Sequence, residues 1–153
     1  MEKGVERIII PYYNVENILS KEIVFGKKIN DNKYAIENIP LYVDNLALGD
    51  VLLVERLDDG KLYFEDLIEK SENSTVRIIF FKYDEVFVQK ILKEIEGFGV
   101  SWVGFEGGSY FSMNIKKELN YKPIRDFLAT YSSIVDYEES CLSDKHRNDL
   151  LLI

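Results

Sequence analysis

Two side chains near the end of the chain could support nucleophilic catalysis. Cys141 and His146 are the one cysteine and the one histidine of the sequence, and an imidazole can activate a thiol as a nucleophile. The polar sequence between them imposes no fixed geometry, and no carboxylate is placed by spacing to orient the imidazole. We therefore predict a structural or incidental cysteine, a solvated histidine and no catalytic residue. The single residues also exclude an internal disulfide and a histidine-based metal cage.

Several pairs of acidic residues could suggest general acid–base chemistry. They are Asp58-Asp59, Glu65-Asp66, Glu94 with Glu96, and Glu138-Glu139. Such chemistry requires two carboxylates in unlike environments, whereas adjacent residues of a strand point to opposite faces. The sequence Asp58-Asp59-Gly60 also lacks the alternating oxygen ligands of a calcium loop. We predict a hairpin turn there, with no catalytic pair and no metal site.

Glycines cluster in the second half of the chain, at Gly97, Gly99, Gly104 and Gly107-Gly108. A dinucleotide-binding loop lies between a strand and the start of a helix. These glycines instead follow a predicted helix and separate two predicted strands. They indicate a helix stop and a hairpin turn, and no cofactor is expected.

The charge of the chain is negative and uneven. The formal net charge is −8, and residues 1–73 hold 15 acidic and 9 basic side chains. A negative field repels phosphate backbones and attracts basic partners. We therefore predict a basic protein partner and no nucleic acid. The alternative is that the charge only keeps the protein in solution.

The acidic residues are densest around one predicted β-hairpin. A three-residue loop, with Gly60 in the left-handed conformation, pairs Val54 with Phe64 and Arg56 with Leu62. This register places Leu52, Val54, Leu62, Phe64 and Ile68 on one face, and it is more amphipathic than the alternative. The opposite face is then the predicted partner-binding surface, with Tyr63 as its aromatic anchor. Its residues are Glu55, Asp58, Asp59, Tyr63, Glu65 and Glu69.

The elements that position this hairpin are strands in the first half of the chain. β-branched and aromatic runs occupy residues 7–11, 23–29 and 34–36, and a turn signal precedes residues 51–57. Residues 39–43 are predicted to be extended, because a residue before proline avoids the helical region. Together they indicate an N-terminal antiparallel β lobe over residues 1–73, with a small open barrel as one form of it.

The second half follows a different pattern. An apolar strand over residues 75–81 precedes a helix capped by Asp84, whose buried stripe holds Val88, Ile91, Leu92 and Ile95. Strands over residues 100–105 and 110–115 follow, then a helix capped by Asn120 and a strand over residues 134–137. This order predicts a ferredoxin-like βαββαβ half over residues 74–142. Residues 143–153 are predicted to be a mobile polar tail with an apolar end that could dock.

The segment between the two lobes carries hydroxyl and guanidinium groups. Ser74, Thr75 and Arg77 could hold an anion or a partner carboxylate. The structural alternative, which we favour, is that Ser74 and Thr75 close the turn while Arg77 pairs with Asp66 or Glu69.

No apolar run is long enough for a membrane helix, and the N-terminal sequence lacks the shape of a signal peptide. We therefore expect a cytoplasmic α+β protein that does not contact membranes. The sequence does not predict its oligomeric state.

Several motifs resemble the bacterial domain-of-unknown-function family numbered 4265. They are IPLYV at 39–43, LALGDV at 46–51, GKLYF at 60–64, SENSTVR at 71–77 and YEESCL at 137–142. The resemblance covers about residues 17–142 and implies a bacterial origin and a shared architecture, but no reaction. Small acidic immunity proteins that accompany secreted bacterial toxins offer an analogy.

These observations lead to three functional hypotheses. The first is a non-enzymatic interaction module, most concretely an immunity protein that blocks a basic toxin domain. The second is a small-molecule-sensing module that binds near residues 104–108, an analogy from the fold alone. The third is an enzyme that depends on Cys141 and His146.

Overall fold

The computed structural model describes residues 3–105 and 107–152. Within these residues the elements are, in chain order, β1 (Val5–Tyr13), β2 (Leu19–Asn30), β3 (Lys33–Ile36), β4 (Val51–Arg56), β5 (Leu62–Glu69), β6 (Ser74–Phe80), α1 (Glu85–Gly97), β7 (Ser101–Gly104), β8 (Tyr110–Ile115), α2 (Tyr121–Thr130), β9 (Val135–Cys141) and α3 (Asp144–Leu151). The chain is therefore α+β, as the sequence predicts.

The first lobe is a closed barrel with the strand order β1-β2-β3-β4-β5. Neighbouring strands are antiparallel except at the closure, where β1 runs parallel to β5 through the pairs Ile8↔Leu62 and Ile9↔Tyr63. The expectation of an open barrel is wrong, because the first strand returns to the last one through a parallel pairing that no local pattern reveals.

The barrel interior is filled by large apolar side chains that alternate along the strands, with Ile8, Tyr34, Leu52 and Leu62 among them. Gly26 of β2 faces the same interior. A β-carbon at this position would lie 2.3 Å from Ile8 Cδ1. A larger residue would therefore force the Ile8 side chain to move, because the neighbours of Gly26 already occupy the space.

The predicted register of the β4–β5 hairpin is confirmed. Val54 pairs with Phe64 and Arg56 with Leu62, and Gly60 has a φ of +80°. Beyond Phe64, two register shifts insert extra residues into β5. Each inserted residue changes the face that follows it, so Leu67 packs against the barrel core while Ile68 is exposed. The predicted core position of Ile68 is therefore wrong.

The second lobe is an antiparallel sheet with the strand order β7-β8-β6-β9. Its core lies between the sheet and helices α1 and α2, and the predicted stripe of α1 is buried. Asp84 and Asn120 cap the two helices through their side chains, as predicted. The central strand β6 is buried along most of its length.

The segment after β9 is a helix and not a mobile tail. Ser143 caps α3, with its hydroxyl accepting from the His146 backbone N–H at 3.2 Å. Tyr121 N–H donates to Asp149 Oδ2 at 3.0 Å, which fixes α3 against the start of α2. Leu150 packs against the core of the second lobe, whereas Leu151 and Leu152 are exposed. The predicted mobility is wrong because polar side chains of this segment find buried partners.

A long connection between β3 and β4, residues 37–50, joins the two lobes. We call it the strap. It forms no strand, although residues 39–43 are predicted to be extended, and it lies on the face of the second sheet that the helices leave uncovered. Thr75 Oγ1 donates to Leu46 O at 2.9 Å, and Ser112 Oγ donates to Pro40 O at 2.6 Å. The predicted lobe boundary near residues 72–74 lies between β5 and β6.

Candidate functional site

The predicted partner-binding residues lie on the outer face of the β4–β5 hairpin, which we call the acidic hairpin face. Its carboxylates are exposed and Tyr63 is half-buried. Glu55 and Tyr63 project away from the barrel because they pair with each other in the confirmed register, whose alternate residues face inward. Glu65 and Glu69 lie in the part of β5 that contains the register shifts. The members of the face are Glu55, Asp58, Asp59, Tyr63, Glu65 and Glu69.

Part of this face is organised by its own hydrogen bonds. Tyr63 Oη donates to Asp59 Oδ2 at 2.7 Å, and Lys61 N–H donates to Asp59 Oδ1 at 2.9 Å. The hydrogen bond from Tyr63 lowers the pKa of Asp59. The carboxylate therefore stays ionised while it fixes the phenol ring that could anchor a partner.

Two glutamates of the face lie next to each other. The pKa of Glu65 is raised, first of all by a shared hydrogen bond with Glu55 and then by burial and the charge of Glu55. Two ionised carboxylates that lie close enough to share a hydrogen bond repel each other. A lysine or arginine side chain between them would relieve the repulsion, so the pair is suited to a cationic partner.

The remaining members of the face are less connected. Asp58 lies at the hairpin tip, and its side chain has no hydrogen bond or ion pair with a residue that the structure describes. Glu69 pairs across the strands with Val51, beyond both register shifts. The structure thus brings Glu55 and Glu65 together and binds Asp59 to Tyr63, while Glu69 lies at the far end of the strand.

Apolar residues beside this face were not anticipated from the sequence. Ile9 pairs with Tyr63 across the barrel closure, and Ile23 is exposed next to it on β2. Both line a cavity of about 390 Å³ that also includes Arg56 and Lys61. The available signal was the apolar run of residues 23–25, which predicts a strand with hydrophobic side chains on both faces.

Arg77 holds the strap and does not serve as an open anion site. Its side chain is 4% exposed, and Nη1 contacts Asp44 Oδ1 at 3.1 Å and Tyr42 O at 3.0 Å. Its Nη2 donates to Val43 O. Arg77 therefore has a structural role, but the predicted partners Asp66 and Glu69 are wrong, since Arg77 faces the strap and those acids lie on the barrel. The prediction that Ser74 and Thr75 close the turn is also wrong, because both begin β6 and their hydroxyls contact His146 and Leu46 O.

A second buried charge holds the strap from the barrel side. The carboxylate of Glu22 on β2 is buried and accepts three consecutive backbone N–H groups. The donors are Leu41 at 2.7 Å, Tyr42 at 2.8 Å and Val43 at 2.9 Å. The strap is thus held between an anion of the first lobe and a cation of the second.

Cys141 and His146 lie in different surroundings. Burial raises the pKa of the Cys141 thiol to about 11, so the thiol stays protonated at neutral pH. Cys141 lines a cavity of about 250 Å³ between the lobes, together with Asp50, Lys70 and Arg147.

His146 is fully buried, which corrects the prediction of a solvated side chain. Its Nδ1 lies 2.6 Å from Ser74 Oγ, and its Nε2 lies 3.0 Å from Lys116 O. Because a carbonyl can only accept, Nε2 carries the proton and Nδ1 accepts from the Ser74 hydroxyl. The neutral ring thus connects α3 to β6 and to the end of β8, and both ring nitrogens are occupied.

This arrangement predicts a loss of stability in mild acid. Burial lowers the pKa of His146 from its ordinary value of 6.5, so the unfolded chain binds the proton more readily than the folded one. The contribution of the neutral ring is complete above pH 6.5 and is lost as the pH falls below it. As the pH is lowered from about 7.5 to about 5, a range that brackets the ordinary histidine pKa of about 6.5, urea unfolding should show a falling free energy of unfolding.

The matched variant is His146→Gln, which keeps a polar side chain but cannot titrate. This variant should be less stable at neutral pH, and its free energy of unfolding should depend less steeply on pH over the same range. An equal slope in both proteins would contradict the assignment of this dependence to His146.

Within residues 3–105 and 107–152, His, Cys, Asp and Glu side chains form no group of three or more that could hold a metal ion. None of the helices in the same residues has the length and apolarity needed to cross a bilayer.

The fold and its contacts define an α+β protein in which a strap joins a closed barrel to a helix-covered sheet. The chain belongs to the family described as "Domain of unknown function (DUF4265)", which matches residues 22–135. This confirms the resemblance carried by the sequence motifs.

One solved structure is similar over almost the whole chain. It is described as "Novel crystal structure of a hypothetical protein from Neisseria gonorrhoeae", with 28% sequence identity and a TM-score of 0.80. The match covers 94% of this chain and 99% of the other. No curated protein matches the sequence at a significant level.

Proposed function

We propose that this protein is a non-enzymatic interaction module that binds a basic protein domain through the acidic hairpin face. Its most concrete form is a bacterial immunity protein that acts in the cytoplasm and blocks a basic toxin domain by filling the substrate groove of that domain with carboxylates. The observation that carries the proposal is the outward grouping of these carboxylates on one hairpin, beside a fixed tyrosine.

The charge of the face favours a cationic partner over a neutral one. Residues 55–72 hold seven acidic and three basic side chains. The adjacent Glu55 and Glu65 raise the cost of leaving the face without counter-charge, as the raised pKa of Glu65 indicates. Complementary charge accelerates encounter and sets the register of a complex.

The neighbouring apolar residues supply hydrophobic contact area, which the charged side chains do not. Interfaces combine a desolvated centre with a polar rim, and aromatic anchors carry much of the binding energy. Tyr63 is held by Asp59 and is flanked by Ile9 and the exposed Ile23. We therefore place Tyr63 near the centre of the interface and the carboxylates around it.

The scaffold supports the same interpretation. We propose that the second lobe is a ferredoxin-like unit, because its elements follow the order β-α-β-β-α-β and its strands the order β7-β8-β6-β9. The strap fixes this lobe to the barrel and thereby gives the hairpin a rigid support.

The test is capture of a partner from the source cell with the full chain, followed by binding kinetics with that partner. Reversing Glu55, Glu65 and Glu69 to lysine should slow association at least about tenfold. An immunity protein should also inhibit an activity of the captured partner at an equal molar ratio.

The matched control replaces three glutamates that are exposed elsewhere on the protein with lysine: Glu16, Glu94 and Glu118. It changes the net charge by the same amount as the first variant. This control should bind nearly as the unmodified protein does. Equal slowing in both variants would assign the effect to net charge, and unchanged binding of the first variant would remove the acidic hairpin face from the proposal.

The small-molecule alternative is favoured by one observation. A cavity of about 310 Å³ lies beside the predicted turn and is lined by Trp102, Gly104, Phe105, Gly107 and Phe111 among others. Gln89 also reaches it, so an apolar ligand with one hydrogen-bonding group would fit. The acidic hairpin face combines more independent features, and we therefore favour the interaction module.

A further inference from the structure

A second surface feature lies on the barrel, where β1 and β5 separate. In the described chain these strands pair at Ile8↔Leu62 and Ile9↔Tyr63 and not beyond. Past that point they line opposite sides of a cavity of about 370 Å³, and the strap forms its third wall. We call this cavity the tyrosine groove. None of its lining residues belongs to the acidic hairpin face.

The lining combines aromatic rings with negative charge. Tyr12, Tyr13 and Tyr42 contribute the rings, and Asp44 and Asp66 contribute the charges. Among the described lining residues there is no lysine, arginine or histidine. The buried Arg77 balances the charge of Asp44, so the uncompensated negative charge of the groove lies at Asp66. In the cavity between the lobes, by contrast, Lys70 and Arg147 themselves line the surface beside acidic groups.

The rings of the groove are held in a defined arrangement. Tyr12 and Tyr42 stack with centroids 6.1 Å apart and planes 7° apart, and Tyr42 stacks on Tyr110 at 5.9 Å and 13°. Tyr110 is itself fixed, because its hydroxyl donates to Leu41 O at 2.5 Å. Tyr42 remains 42% exposed and Tyr13 68% exposed, so aromatic surface is available to a ligand.

In each aspartate of the groove, one carboxylate oxygen accepts hydrogen bonds from the protein itself. Asp44 Oδ1 accepts from Arg77 Nη1 and from Ser140 Oγ, both at 3.1 Å. Asp66 Oδ1 accepts from the Leu67 N–H at 2.8 Å. Neither Oδ2 atom has a hydrogen bond or ion pair with a residue that the structure describes. Each aspartate therefore keeps an acceptor for a donor from outside.

We infer that the tyrosine groove binds an arginine side chain presented by a protein partner. A guanidinium group is planar, so it stacks on tyrosine rings, and its fork of N–H donors suits carboxylate oxygens. A lysine ammonium supplies charge without the flat surface, and an anionic ligand would be repelled by Asp66, which forms no ion pair with a described residue. The inference goes beyond the proposed function, because the groove and the hairpin face are separate surfaces.

The test uses the full chain and short acetylated Gly-Arg-Gly amide peptides, observed through the tyrosine ring resonances by NMR. The arginine peptide should shift the rings of Tyr12 and Tyr42 with weak, saturable affinity. The same peptide with citrulline, a neutral analogue of arginine, should bind at least about fivefold more weakly. A lysine peptide should fall between the two.

Variants inside and outside the tyrosine groove locate the bound peptide. Tyr13→Leu and Asp66→Asn should each weaken the arginine peptide about fivefold, because each removes one exposed contact and leaves the buried contacts of the strap intact. Asp136→Asn changes an exposed aspartate on β9 that, like Asp66, accepts from the following backbone N–H, and it should leave the affinity unchanged. Circular dichroism should show the same fold in all three variants.

Four results would overturn the inference. They are equal binding of the citrulline peptide, stronger binding of the lysine peptide, no shift of the groove tyrosines, or a loss with Asp136→Asn that matches the loss with Asp66→Asn. Because the probe is a peptide and not the captured partner, the outcome does not depend on whether the acidic hairpin face binds a toxin.

Discussion

Replacing Arg77 with alanine should lower the free energy of unfolding by about 3–4 kcal/mol, because buried acceptors that lose a donor cost about 1–3 kcal/mol each. The Arg77 side chain is 4% exposed, and it donates to the carbonyl groups of Tyr42 and Val43. The substitution removes both donors and leaves a void between the strap and β6. Urea unfolding followed by circular dichroism measures the loss.

The matched control is Arg7→Ala on β1, which removes an exposed guanidinium without a hydrogen bond to a described residue. This variant should change the stability by less than about 0.5 kcal/mol. If Arg77→Ala were as mild as this control, the strap could not depend on Arg77, and the account of how the lobes are joined would be wrong.

Replacing Glu22 with alanine should cost nearly as much, about 3 kcal/mol. The three N–H groups of the strap that this carboxylate accepts would lose their partner in a buried setting. Glu22→Gln should cost about half as much, since an amide keeps one acceptor oxygen and turns a donor towards the remaining N–H groups. Urea unfolding at pH 7 measures both variants.

Glu37→Ala provides the control within the strap itself, because the Glu37 side chain is exposed. Its effect should stay within about 0.5 kcal/mol. A larger effect for Glu37→Ala than for Glu22→Ala would contradict the role of the buried carboxylate.

The sequence was informative wherever structure depends on neighbouring residues. The register of the β4–β5 hairpin depends on one glycine turn and on the alternation beside it, and the stripes of α1 depend on helical spacing. The outward position of Glu55 and Tyr63 follows from that register. These features could therefore be predicted without knowledge of the remaining chain.

The errors concern contacts between residues that are distant in the sequence. Arg77 meets Asp44 of the strap, His146 meets Ser74, and β1 meets β5. A polar segment such as α3 looks solvated until buried partners are found for its side chains. The tyrosine groove was missed for the same reason, since β1, the strap and β5 each contribute part of its lining.

The parallel closure of the barrel has a consequence for the limits of the family match. The match begins at Glu22 and ends at Val135, so it omits β1, most of β9 and α3. A fragment trimmed to those limits would expose the edge of β5 and leave β2 with β3 as its one remaining partner. The matched stretch is therefore shorter than the unit that folds.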